Sequence, residues 1–376
     1  MKIIVLGAGM VGKAIAIDLS AKHEVTSVDI DQSALDYLAK NYRMETFRAN
    51  LIEKDSVESL VSPFDVVISA VPGFMGFETL RRVIECGKNV VDISFMPEDF
   101  FELDGLSRSN DVTAIVDCGV APGMPNLIMG RYDAEMEIDD FEYFVGGLPF
   151  EKVYPFYYKA PFSPIDVIEE YTRPARFVVD GKIVEKPAMS DVEMQHFNGV
   201  GTLEGFLTDG LRSLLKTMSH VPNMREKTLR YPGHVQLLQA LRKVGFFENR
   251  PIEVDGVKVR PMDFTSKLLT QNWKLDPSER EFTVMRIVFR GRKNDKNVEV
   301  VYDLFDQYDD VDKLSSMART TGFTATACAE LIASEGLNLK GVLPLELIGK
   351  NANYFRFVMD YLGVRNIVYK KQERIF

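Results

Sequence analysis

The chain has 376 residues, 46% of them hydrophobic, and a formal net charge of −10. That length suggests two domains with sizeable cores. The acidic balance, with no basic run interleaved with aromatics, argues against nucleic acid and anionic membranes and for a small-molecule partner.

The first apolar run, Lys2-Ile3-Ile4-Val5-Leu6, reads as a strand. It enters Gly7-Ala8-Gly9-Met10-Val11-Gly12, and a helix follows on which Val11, Ala14, Ile15 and Leu19 share a face. Strand, glycine turn and helix form a dinucleotide-binding signature. Gly7 permits the tight turn, Gly9 lets the backbone approach a pyrophosphate, and Gly12 lets the helix pack near the strand. The first helix amides, around Met10 and Val11, then face the anion. A second strand ends in Asp29, 22 positions beyond Gly7, where an acid can accept hydrogen bonds from the adenosine ribose. With Asp31 close by and no arginine between, Asp29 repels an extra phosphate and favours NAD over NADP as cofactor.

The alternation continues with a helix over 32–41, a strand over 44–48 and a helix with an acidic start over 53–61. A buried-type strand over 65–69 ends at Ala70-Val71-Pro72-Gly73, before a helix over 74–86 and strands over 89–92 and 112–117. Six apolar strands alternating with helices predict a Rossmann-type, doubly wound parallel sheet of the α/β class, whose ligands sit at the carboxyl ends of the strands. Asp29, Asn50, Val71, Ser94 and Asp117 follow those ends. Val71-Pro72 is expected near the centre of a bound dinucleotide, and the Asp92-Ile93-Ser94 and Asp117-Cys118-Gly119 turns near its reactive ring.

From about Gly123 the pattern changes to strands without regular crossover helices, over 140–145, 176–186 with an Asp180-Gly181 turn, 200–206 and 227–231. A hairpin is predicted between 282–289 and 298–305, across 291–297. Helices are predicted over 311–320 and 324–334, followed by Leu343-Pro344 and a short amphipathic tail. The expected organisation is a dinucleotide-binding domain over 1–122, an α+β substrate domain with a mixed or antiparallel sheet over 123–310, and C-terminal helices over 311–376 that return to the first domain. An exposed antiparallel edge points to a homodimer.

No apolar stretch reaches 18 residues and the first strand leaves no room for a signal peptide, so a cytoplasmic protein without a membrane partner is expected. Cys86, Cys118 and Cys328 lack C-x-x-C spacing, and His23, His196, His220 and His234 form no H-x-x-x-H pair, so neither disulfides nor a metal site is expected.

Motifs along nearly the whole chain resemble the saccharopine dehydrogenase superfamily, most of all its lysine 6-dehydrogenase branch. They are Gly7 to Gly12, Val90-Val91-Asp92-Ile93-Ser94, Cys118-Gly119-Val120-Ala121-Pro122-Gly123-Met124-Pro125-Asn126 and Ser163-Pro164-Ile165-Asp166-Val167-Ile168-Glu169-Glu170-Tyr171. Further along come Gly201-Thr202-Leu203-Glu204-Gly205-Phe206, Lys227-Thr228-Leu229-Arg230-Tyr231-Pro232-Gly233-His234 and Met317-Ala318-Arg319-Thr320-Thr321-Gly322-Phe323. The resemblance implies an NAD(P)-dependent oxidoreductase acting on a carbon–nitrogen bond of an amino acid. Similar saccharopine reductases carry an acid where this chain has Ala121, which leans the choice towards a simpler amine such as lysine.

Removing hydride from a carbon that bears an amine needs the nitrogen lone pair, yet a lysine ε-amine has an ordinary pKa of about 10.4. The site therefore needs a base. Asp117, Lys159 and His234 are the candidates for proton handling; Lys159 could instead hold a carboxylate. Arg230, with Thr228 and Tyr231 on the same strand and Ser94 beside the nicotinamide, is the expected clamp for the substrate carboxylate. Glu169, Glu170 and Arg173 read as a charged turn, Cys118 as a packed residue, and Trp273 carries no signal. Two readings stay open beside lysine deamination: reductive condensation of the saccharopine or carboxynorspermidine type, and a non-catalytic NAD-binding sensor or scaffold.

Overall fold

The protein is described here by a computed structural model covering residues 1–276, 279–334 and 336–376; the side chains of Lys54, Asp55, Ser56 and Ile165 lie outside the description. Two compact units are present, 1–136 with 317–368, and 137–316 with 369–376.

The first unit opens with β1 (Lys2–Leu6), α1 (Met10–Ser20), β2 (Glu24–Asp29), α2 (Gln32–Tyr42), β3 (Glu45–Arg48), α3 (Lys54–Val61), β4 (Val66–Ser69), α4 (Gly73–Glu85), β5 (Asn89–Asp92), α5 (Asp104–Ser109), β6 (Thr113–Val116) and α6 (Met124–Asp133). The second unit follows with β7 (Glu137–Pro149), α7 (Pro164–Thr172), β8 (Ala175–Val179), β9 (Lys182–Lys186), β10 (Glu193–Phe197), β11 (Gly201–Leu207), α8 (Leu214–Thr217), β12 (Asn223–Arg230), α9 (His234–Lys243), β13 (Ile252–Val254), β14 (Val257–Val259), α10 (Pro261–Trp273), β15 (Glu281–Lys293) and β16 (Lys296–Gln307). The chain then returns to the first unit through α11 (Ser316–Ala333), β17 (Gly341–Pro344), α12 (Leu345–Gly349) and α13 (Ala352–Val364), and ends in the second with β18 (Lys370–Ile375).

The sheet of the first unit is parallel, in the order β17-β6-β5-β4-β1-β2-β3. Its central strands are buried on both faces, which is why they read as continuous apolar runs rather than alternating ones. Ile4, Leu6, Val67, Val90, Ala114 and Val116 form the core on one side. Strand order reverses between β1 and β4, the switch point at which such sheets take ligands.

Two expectations for this unit need correction. The sheet has a seventh strand, β17, which the sequence hid as a four-residue run and which pairs with β6. The helices expected over 311–320 and 324–334 are the single α11; Gly322 within it marks a close crossing, since a Cβ there would lie 3.2 Å from Ile15 Cγ1 on α1. The first compact unit extends to Met136, because α6 packs on α12 through two glycines. A Cβ on Gly130 would lie 1.9 Å from Glu346 O, and one on Gly349 2.0 Å from Leu127 O.

In the second unit the main sheet runs β10-β11-β12-β7-β15-β16-β18, with the β8–β9 hairpin attached to β12. β12 and β7 are parallel and the other neighbours antiparallel. The turn at Asp180-Gly181 takes positive φ at both residues, as hairpins of this handedness require. In the β15–β16 hairpin the turn is Asn294-Asp295, not 291–297. Gly291 belongs to the strand at an irregularity in register, where a Cβ would lie 1.9 Å from Glu137 O. Residues from α7, α9 and α10 pack around Phe206 of β11 with Tyr158, Tyr171 and Trp273. The last strand, β18, was expected as part of the returning helices; every residue of it is exposed, so no alternation announced it.

Candidate active site

In the first unit the glycine loop is closed at two glycines and open at one. A Cβ on Gly7, whose φ is +108°, would lie 2.4 Å from Ala70 O, and one on Gly12 2.0 Å from Gly7 O. A Cβ on Gly9 would meet nothing within 4 Å. Gly9 caps α1 without any side chain, so among the described residues the helix that Met10 and Val11 begin has no side-chain cap hydrogen bond. Asp29 Oδ2 accepts from Ala8 N at 2.6 Å and Oδ1 from Asp31 N at 2.8 Å, which ties the acid at the end of β2 to the loop. A cradle open only at Gly9, beside an acid, fits the pyrophosphate and ribose of a dinucleotide. Pro72 caps α4 beside buried Val71. Asn50 is turned to its own loop, accepting from Ile52 N and donating to Glu53.

At the next strand ends Asp92 is fully buried, and its Oδ1 accepts from Ser94 N at 2.9 Å and Ser94 Oγ at 2.6 Å. Burial pushes its carboxyl up to about 7 against the pull of Ser69 and Ser94, and the charge of Asp117 adds to the rise. Asp117 is itself buried, with φ of 50°. Gly119 closes the following turn, its N–H reaching Pro122 O at 3.1 Å. Burial pushes the Cys118 thiol up as well, which keeps it an inert packed residue.

In the second unit Arg230 is the hub of a buried polar cluster. Its Nε donates to Tyr171 Oη at 2.8 Å, and its Nη2 to Glu170 Oε2 at 2.9 Å and Tyr158 Oη at 3.3 Å. Nη1 donates to Leu229 O at 2.9 Å. His234, the first residue of α9, is fully buried; its Nδ1 lies 2.8 Å from Phe156 O and its Nε2 3.0 Å from Tyr171 Oη. A carbonyl only accepts, so Nδ1 carries the ring proton and Nε2 accepts from the tyrosine. Burial pulls the histidine down to about 3, helped by Arg230, so it is neutral at physiological pH. Glu204 accepts from Gly233 N and Val235 N and so occupies the start of α9.

The other expected residues of this unit lie apart from that hub or at its edge. Thr228 shares a 2.8 Å hydrogen bond with Thr208, which donates to Glu226. Tyr231 Oη donates to Pro149 O at 2.9 Å. Lys159 is loosely held, its Nζ 3.4 Å from Lys274 O and 3.9 Å from Glu279 Oε1.

The sequence reading missed Tyr158, Glu170, Glu226 and Trp273. Glu226, Thr228 and Arg230 are spaced at i, i+2, i+4 on β12, the signal for one shared face of the strand. Trp273 packs edge-on against Tyr158 and Tyr171, and its buried Nε1 has no hydrogen-bond partner among the described residues. Among the described residues no group of three or more His, Cys, Asp and Glu is arranged for a metal ion, and no helix is long and apolar enough to cross a membrane.

Comparison with known proteins decides the family. The family model described as saccharopine dehydrogenase NADP binding domain matches residues 3–115, and that of the saccharopine dehydrogenase C-terminal domain matches residues 119–367. The chain belongs to the saccharopine dehydrogenase family. Within that family, it is 23% identical to the mitochondrial alpha-aminoadipic semialdehyde synthase of Rattus norvegicus, over 91% of this chain and 45% of the rat protein. It is 25% identical to the protein of Pyricularia oryzae named saccharopine dehydrogenase, NADP(+), L-glutamate-forming, over 52% of this chain and 46% of that one. The chain thus spans about half the length of the curated relatives it matches. The structure of apo saccharopine dehydrogenase (L-Glu forming) from Saccharomyces cerevisiae superposes with a TM-score of 0.80 at 19% identity, over 99% of both chains, a likeness of fold.

Proposed function

We propose that this saccharopine dehydrogenase family member is a nicotinamide-dinucleotide-dependent oxidoreductase acting on a carbon–nitrogen bond of an amino acid, with oxidative deamination of the terminal amine of L-lysine as its leading reaction. The observation that carries the proposal is the glycine loop, open at Gly9 and closed at Gly7 and Gly12, in a chain whose family matches run through 3–115 and 119–367. A bound nicotinamide would supply the hydride acceptor for the carbon bearing the amine, and water would hydrolyse the resulting substrate iminium to an aldehyde and ammonia.

The chain's own groups have the following roles. The amides after Gly9 hold the pyrophosphate and Asp29 the ribose. Asp117 takes the proton that an ammonium must lose, while Asp92, titrating near neutrality and held by Ser94, stores a proton beside it. Lys159, whose polar contacts among the described residues are long, meets a substrate carboxylate. His234, neutral and engaged at both nitrogens, orients Tyr171 and Arg230 rather than carrying protons.

For the cofactor, Asp29 supports NAD, because its charge repels a 2′-phosphate. NADP is supported by the family description, by the name of the Pyricularia relative and by Arg48, whose Nε donates to Ile30 O beside Asp29. A second reaction, reductive condensation of the saccharopine type, is favoured by the names that the relatives carry.

The test is to mix the purified chain with NAD⁺ or NADP⁺ and either lysine or saccharopine at alkaline pH. Reduced nicotinamide with released ammonia from lysine supports deamination; reduction with saccharopine alone selects the second reaction. Dinucleotide binding without reduction by either amino acid overturns both.

A further inference from the structure

One ion pair in the second unit differs in exposure between its two ends. The Arg230 side chain is 3% exposed and that of Glu170 20%. Of the five guanidinium N–H groups, one goes to Tyr171, one to Leu229 O and two to Glu170 and Tyr158. The Tyr158 and Tyr171 rings lie against the guanidinium, with centroids 4.2 and 5.6 Å away. A two-oxygen grip on a substrate carboxylate, as expected from the sequence, would have to displace Glu170.

Glu170 presents the opposite case. Its Oε2 is bound to Arg230, while its Oε1 has no hydrogen bond among the described residues. The acidic side chains of Asp166, Asp209 and Glu226 act electrostatically on Glu170 or on one another, with Arg173 the further cation beside it. An incoming ligand therefore meets a carboxylate first, backed by a buried cation and set among acids. Such a group accepts hydrogen bonds and prefers a cationic donor.

We propose that Glu170 binds the ammonium of the substrate that does not react, with Arg230, Tyr158 and Tyr171 as positioning residues that hold its carboxylate in place. The inference rests on the amino-acid dehydrogenase reading above for its ligand class. Lysine and saccharopine both keep an α-ammonium away from the nitrogen that reacts.

Calorimetric titration of the whole chain with lysine, saccharopine and 6-aminohexanoate, which lacks the α-ammonium, tests it. The wild-type chain should bind lysine roughly 10- to 100-fold more tightly than 6-aminohexanoate, the range of one charge-assisted hydrogen bond. Glu170→Gln, which keeps an acceptor for Arg230, should abolish that preference, and Glu170→Asp should retain part of it. Arg230→Lys should raise KM for lysine far more than it lowers kcat. A preference unchanged in Glu170→Gln, equal binding of lysine and 6-aminohexanoate, or binding of neither lysine nor saccharopine overturns the assignment. A Glu170-dependent preference without any cofactor reduction would instead leave it standing and remove the dehydrogenase reading.

Discussion

Replacing Glu226 with glutamine should change how stability depends on pH. Glu226 is 3% exposed; its Oε2 accepts from Thr208, and a Cβ on Gly210 would lie 2.6 Å from its carboxyl carbon. Burial pushes its carboxyl up to about 8 against the pull of Thr208, and the charges of Glu170 and Asp209 add to the rise. The unfolded group titrates near about 4.3, so between roughly pH 4.3 and 8 the folded chain holds a proton that the unfolded chain has lost. Its contribution is full below the unfolded value and disappears as pH rises through the folded one. Through that window the slope is about −1.4 kcal/mol per pH unit. Glutamine mimics the protonated acid, still accepts from Thr208 and does not titrate. The stability of Glu226→Gln relative to wild type should therefore rise by roughly 3 kcal/mol from pH 5.5 to 7.5. Denaturant unfolding followed by the fluorescence of Trp273, the sole tryptophan and a buried member of the same unit, measures it. Parallel pH dependence in the two proteins would refute the assignment of a buried, protonated acid.

Gly9→Ala should fold with unchanged stability, since its Cβ enters open space, yet bind dinucleotide at least about tenfold more weakly by calorimetry. Gly12→Ala should cost roughly 1–3 kcal/mol in thermal or denaturant unfolding, because its Cβ would overlap Gly7 O; equal behaviour of the two variants would contradict the loop reading. Trp273→Phe removes a buried donor that lacks a partner among the described residues, which offsets part of the lost packing. A cost below about 1 kcal/mol by circular dichroism melts is expected, and one above about 3 kcal/mol would mean that the indole N–H is satisfied. Because burial holds His234 at about 3, its neutral form is favoured above the unfolded value of about 6.5, and that contribution is lost as pH falls. His234→Asn should remove about 1–2 kcal/mol of acid sensitivity between pH 6.5 and 5, read as the wild-type minus variant difference.

Much of the first unit was legible because local rules govern it. A β-branched run, a glycine turn and an amphipathic helix each constrain their own backbone, and β1, α1 and β2 lie where those patterns put them. The same holds for the hairpin at Asp180-Gly181, where two residues accept positive φ. Glycine was legible only where it served a turn. Gly291 and Gly322 have the same composition signal as a turn glycine, but each exists to admit a neighbour, Glu137 O in one case and Ile15 in the other.

The candidate site divided along the same line. Gly7, Gly9, Gly12 and Asp29 declared themselves by spacing within thirty residues, and the six apolar runs determined a doubly wound sheet, because strand and helix periods are written locally. Tertiary structure alone decided that β17 and β18 join sheets whose partners lie far back in the chain. It alone decided, too, that Glu170, Tyr158, Tyr171 and His234, from three separate stretches, converge on Arg230. Side-chain periodicity states which face a residue occupies but not what the chain will later bring against that face. A buried guanidinium takes its partners from whatever packing places within about 3 Å.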